Sequence, residues 1–173
     1  MTLLVRHPDT PPGAIRLIEA ELQRVPGGAV ATYRAVGDMS RIVVPAPAEP
    51  LRSDELWKTS CFELFVAGDG PDYREFNFSP SGQWAAYAFD GYRQGMRPAD
   101  ARIECTLVQD AKGLSLIAKI ECELPLPAYV GLTAVIEETD GAIRYWSTAF
   151  APGKPDFHAQ AVRSLLLDGV GTE

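Results

Sequence analysis

The chain has 173 residues, enough to bury a self-sufficient core, and is read as one domain over 1–173. Its 15 glycines and 14 prolines favour many short elements over a few long helices. Sixteen Lys and Arg against 23 Asp and Glu give a net charge of −7, which repels a phosphate backbone and argues against nucleic acid or an anionic membrane as partner.

The N-terminal MTLLVRHPDTPPG meets Arg6, His7 and Pro8 before a signal-peptide core of useful length can form, so no export signal and a cytoplasmic location are expected. No apolar run approaches the roughly 20 residues that a spanning helix needs. Between Gly13 and Met39 the residues Ile15, Ile18 and Leu22 have helical spacing, while Ile18, Ala20 and Leu22 equally suit a strand. Pro26, Gly27 and Gly28 interrupt the segment, and alternation resumes at Val30, Thr32 and Arg34, which favours a β-hairpin. RIVV then predicts a short strand, ended by Pro45, Pro47 and Pro50.

From Thr59 the alternation sharpens. SCFELFVA, DYREFNFSP, GQWAAYAF, ARIECTLVQ, GLSLIAKIECEL, GLTAVIEET and AIRYWSTAF each read as a strand bounded by Gly, Pro, Asp or Ser, with DAKG and TDGA as tight-turn signals. A last strand is possible in VRSLLLDG. This pattern predicts an all-β, two-sheet antiparallel sandwich of the jelly-roll or immunoglobulin-like kind. Cys61, Cys105 and Cys122 are widely spaced and odd in number, which fits reduced, packed thiols rather than a disulfide framework or a zinc cage.

Side chains alternate along a strand, so Phe62, Leu64 and Val66 share one face and Cys61, Glu63 and Phe65 the other. The same parity sends Phe76 and Phe78 inward and leaves Tyr73, Glu75 and Asn77 opposite. A hairpin closed about Gly70 sets Glu63 against Asn77 and Phe65 against Glu75; a second closed about SPSG sets Asn77 against Trp84. Glu63, Asn77 and Trp84 would then form a row of carboxylate, amide and indole on a rigid sheet, with Tyr87 nearby. Sugars ask for that mixture, because their hydroxyls want polar partners and their C–H faces lie well against aromatic rings. The competing reading makes Trp84 and Tyr87 half-buried strand aromatics and pairs Glu63 with Lys58.

The wording of DELWKTSCFELFV, YREFNFSPSGQWAAYAFDGYR and YWSTAFAPGKPDFH resembles the DOMON-like proteins of bacteria, a group similar to the family nine carbohydrate-binding modules. The resemblance runs from about Tyr33 to His158 and implies a β-sandwich with a ligand site on one sheet or at its rim. It also implies that Trp57 and Trp146 correspond to the two tryptophans that hold a sugar in family nine modules, with Glu63, Asn77 and Arg144 as polar neighbours. Trp84, Tyr87 and His158 complete the candidate set.

Other chemistries have weaker signals in the sequence. The wider superfamily includes haem domains held by an early methionine and a late histidine, for which Met39 and His158 are the matches and Met96 a second candidate. Glu63 and Glu75 share a face, as a glycosidase pair would. Asp156 and His158 could ligate a metal together. With only His7 and His158 as possible bases a hydrolytic triad is poorly supported, and no phosphate loop is present. The expectation is therefore non-catalytic binding of a small carbohydrate or similar polar molecule, with no cofactor; the alternatives are a haem-binding domain or a protein-interaction domain.

Overall fold

A computed structural model describes residues 1–168 of the chain. Two two-residue strands without a sequence signal come first, β1 (Thr2–Leu3) and β2 (Val5–Arg6). The expected hairpin follows as β3 (Ile15–Val25) and β4 (Gly28–Gly37), closed around Gly27, whose φ of 78° suits glycine. RIVV forms no strand; its only ladder contact is an isolated bridge from Ile42 to Glu138, because the prolines that follow cannot donate to a ladder.

The segments after Thr59 become β5 (Cys61–Ala67), β6 (Tyr73–Phe78), β7 (Trp84–Phe89), β9 (Arg102–Asp110), β10 (Gly113–Glu121), β11 (Ala128–Glu137) and β12 (Ile143–Ser147), with a two-residue β8 (Arg97–Pro98) between β7 and β9. VRSLLLDG supplies β13 (Leu165–Leu167), while its Gly169 lies outside the described residues. The turn signals act as expected. The Asp110 carboxylate accepts from the backbone N–H of Lys112 and Gly113, and that of Asp140 from Ala142 N–H.

The strands form two antiparallel sheets, a β-sandwich. The smaller has the order β1-β3-β4-β10-β9, and the larger β2-β12-β11-β5-β6-β7-β8 with β13 also on β11. Between them lies the main core. Ile18, Tyr33 and Leu116 of the small sheet meet Phe62, Leu64, Phe76, Phe78 and Leu132 of the large one, all fully buried. Each such side chain contributes about 1.5–3 kcal/mol on leaving water. The Tyr33 hydroxyl crosses the core to donate to the Glu63 carbonyl at 2.6 Å, which satisfies a polar group that burial would otherwise penalise.

The large sheet is buried on both sides, so every residue of β5 is buried. Its outer face carries a second apolar cluster made of Cys61, Phe65, Tyr73, Tyr87, Phe89 and Val135, covered by Leu56 from one loop and Phe157 from another. This second layer positions the site.

Candidate functional site

A cavity of about 630 Å³ opens in that second layer. Its floor includes Glu63 from β5, Glu75 from β6 and Val135 from β11; its walls include Trp57, Phe89, Tyr145, Phe157 and His158. The strand parity read from the sequence sets up the floor. Glu63 pairs with Asn77 and Phe65 with Glu75, so the two carboxyls lie diagonally across neighbouring strands on the face away from the main core. Thr133 of β11 pairs with Glu63 on its other side and Ser147 of β12 with Thr133, which extends one polar row over four strands.

The walls are held by loop interactions. Trp57 sits in a 3-10 turn, Leu56–Lys58, preceded by Glu55 with a left-handed φ of 63°. Arg93, on the loop after β7, is also left-handed at 54°. Non-glycine residues in that region cost about 1–3 kcal/mol each and persist where neighbours enforce them. Here Lys58 pairs with Glu55 at 2.9 Å, and Arg93 pairs with Asp156 at 2.8 Å while its N–H donates to the Tyr73 hydroxyl. The His158 loop is pinned from behind, where the buried His7 ring reaches the Gly153 carbonyl at 3.0 Å and sits edge-on to Phe150.

Burial raises the Glu63 carboxyl well above the usual carboxylate range; the Glu75 charge adds to this and Thr133 partly offsets it. Burial likewise pushes Glu75 up to about 7, against the opposing pull of Asn77 and Arg93. His158 goes the other way: burial first and Arg93 second push it down to about 4, so it is neutral near pH 7. Its Nδ1 lies 2.8 Å from the Tyr73 hydroxyl, which already accepts from Arg93 N–H. The Tyr73 hydroxyl has its one proton to give to Nδ1, an arrangement that leaves a proton on Nε2, which lies 3.7 Å from Glu75 Oε2. The result is an acid pair that holds a proton on Glu63 near pH 7 while Glu75 is partly ionised, beside a neutral histidine. Among the described residues Glu63 Oε1, both amide atoms of Asn77 and the Thr133 hydroxyl make no well-aligned hydrogen bond.

Of the residues predicted from sequence, Trp57, Glu63 and His158 line the cavity. Asn77 is fully buried in the floor beside Glu75 rather than at its surface. Tyr87 lies opposite Glu75 on the same face but is nearly sealed: its hydroxyl donates to Asp54 at 2.6 Å and its ring packs edge-on against Trp57. Trp84 is displaced by one register step. Ser79 N–H bonds the Gln83 carbonyl, so the turn closes around Pro80, Ser81 and a left-handed Gly82; Phe78 then pairs with Trp84, and the indole packs against the main core. Trp146 also turns to the main core, and so cannot face Trp57 across the cavity; its neighbour Tyr145 takes the outward position. Arg144 is bound to Glu138 at 3.2 Å and to the Pro11 carbonyl, away from the cavity. Lys58 serves Glu55, not Glu63.

The haem ligand set does not fit. Met39 packs against the main core, whereas His158 lines the cavity on the other face of the large sheet. Met96 borders the cavity too, but both His158 ring nitrogens are already directed at Tyr73 and Glu75. Among the described residues no group of three or more His, Cys, Asp and Glu side chains is placed to hold a metal ion, so Asp156 and His158 lack further ligands. No helix among them is long and apolar enough to cross a membrane. Glu75, Phe89, Arg93 and Tyr145 belong to the cavity without having been singled out as ligand-binding. Parity pointed to Glu75; Phe89 and Tyr145 reach the cavity from β7 and β12 through the pairing of the large sheet, and Arg93 from the loop after β7.

Fold and site together define a two-sheet antiparallel β-sandwich with an aromatic-walled, carboxyl-floored cavity on the outer face of its larger sheet. No protein-family model and no curated protein matches the chain. A solved structure from Bacteroides uniformis ATCC 8492, a protein provisionally described as carbohydrate-binding, shares the fold with a TM-score of 0.61 at 13% identity, over 93% of this chain and 82% of that one.

Proposed function

We propose that the cavity binds a small carbohydrate or similar polyhydroxylated molecule without transforming it. One observation carries this: the Glu63 and Glu75 carboxyls form the floor of an aromatic-walled cavity of about 630 Å³. A carboxyl group offers a ligand hydroxyl an acceptor and, when protonated, a donor as well. Trp57, Phe89, Tyr145 and Phe157 supply flat apolar surfaces for the C–H faces of a ring. The reading also draws support from the resemblance to family nine modules and from the provisional carbohydrate binding of the Bacteroides protein. Tyr145 takes the stacking role assigned by resemblance to Trp146.

Calorimetric titration with neutral mono- and disaccharides, followed in parallel by tryptophan fluorescence, tests the proposal. Binding should quench Trp57, which is 37% exposed and borders the cavity. Trp57→Ala should weaken it about tenfold or more, the effect of losing roughly 1.4 kcal/mol. Silence in both measurements across the panel would remove the sugar reading. The paired carboxyls favour one rival: turnover of an aryl glycoside, abolished by Glu63→Gln with binding intact, would make the protein a glycosidase.

A further inference from the structure

We propose that the ligand site continues past His158 into a second pocket built for an anionic group, so that the preferred ligand is an acidic saccharide of at least two units. This rests on the reading of the first cavity as a sugar site. The second pocket has a volume of about 580 Å³ and is lined by Tyr73, Tyr92, Tyr129, Gln160 and Arg163, with His158 lining both cavities. His158 is thus the wall that the two cavities share. Tyr92 and Tyr129 are exposed and offer ring faces, and Tyr92 is steadied by donating to Asp156 at 2.5 Å.

Arg163 supplies the charge. It directly follows the 3-10 turn Gln160–Val162, its guanidinium lies 4.7 Å over the Tyr73 ring, and its Nη1 donates to the His158 carbonyl at 3.4 Å. The contrast with Arg93 is informative. Arg93 is neutralised by Asp156, whereas Arg163 forms no ion pair among the described residues. Burial disfavours its charged form, and the Tyr73 ring 4.7 Å beneath it gives a cation–π contact in return. A guanidinium held flat and half-buried retains donors suited to a carboxylate, sulfate or phosphate group. Asp69 stands exposed on the rim of this pocket, where water screens its charge more than that of a buried group.

The test titrates the intact protein with a neutral disaccharide, cellobiose, and its acidic counterpart carrying a glucuronic acid unit. Cellobiose carrying a 6′-phosphate or a 6′-sulfate serves as a further arm. The acidic disaccharide should bind about tenfold tighter than the neutral one, with an advantage that shrinks as salt rises. The ester arms then rank carboxylate against sulfate and phosphate as the anion. Arg163→Gln should erase the advantage and leave neutral binding in place. The ligand comparison on the unaltered protein decides the matter even if that variant fails to fold. Equal binding of acidic and neutral disaccharides, or an equal loss of both in Arg163→Gln, would overturn the second pocket alone. Failure of every sugar to bind would overturn the parent reading and this one together.

Discussion

Glu138 shows why a residue's chemistry cannot be assigned from its type. It is 1% exposed, and its Oε1 accepts from Ala14 N–H at 2.7 Å and from Arg144 at 3.2 Å, while Oε2 meets Arg41 at 3.3 Å. Arg144, a candidate sugar ligand by resemblance, is thus engaged in closing the N-terminal segment onto the large sheet. The packing leaves no slack, since a Cβ on Gly13 would fall 1.9 Å from Glu138 Oε1. Glu138→Ala leaves the largely buried Arg144 guanidinium with only the Pro11 carbonyl, and the Ala14 N–H without a partner. A loss of about 3–5 kcal/mol is expected, read as a lower urea midpoint at unchanged slope. An unchanged midpoint would show that water replaces the carboxylate without cost.

At the scale of elements, β7 is the exposed flank of the site. Its outer neighbour β8 covers only Tyr87 and Ala88, so Arg52 closes the rest. The guanidinium stacks 4.7 Å over Trp84 and donates to the Ala86 and Ala99 carbonyls at 2.8 and 2.6 Å. Trp84 therefore acts as a clamp for the sheet edge, on the face opposite the cavity. Arg52→Ala should cost about 2–3 kcal/mol, from charged hydrogen bonds and a cation–π contact, and should speed amide exchange in β7 before β5. Uniform exchange across both strands would contradict this. The register of β5 and β6 was legible because the turn about Gly70 is symmetric, so both carboxyls were placed on the correct face. That of β6 and β7 was not, because the serine-rich turn around Gly82 takes up one residue more, and a single step inverts a side chain.

For the whole molecule the buried titratable groups set a pH dependence. Glu75 rises to about 7 in the folded state and Glu63 also rises, so both bind protons more tightly folded than unfolded. Their contribution is complete below the ordinary carboxylate range near 4.5 and is lost as pH rises through about 7. His158 falls to about 4, so its contribution is complete above 6.5 and is lost as pH drops toward 4. The two trends oppose each other between about 4.5 and 6.5 and cease to do so above that. Thermal unfolding should therefore show Tm falling from pH 6.5 to 8, with the fall flattened in the Glu63→Gln, Glu75→Gln double variant. A wild-type Tm that rises over that window would contradict the assignment.

The sequence by itself determined the all-β class, the strands after Thr59, the inward phenylalanines and the outward face holding Glu63, Glu75 and Asn77. It could do so because a period of two fixes which side chains share a face, whatever the strand later packs against. Only the tertiary structure decided that this outer face is buried beneath the loops before β5 and after β12. The same packing made Trp146 and Trp84 core residues, bound Arg144 to Glu138, and brought His158 and Tyr145 beside the carboxyls. Those outcomes depend on long-range closure and on single-residue turn lengths, which local periodicity does not encode.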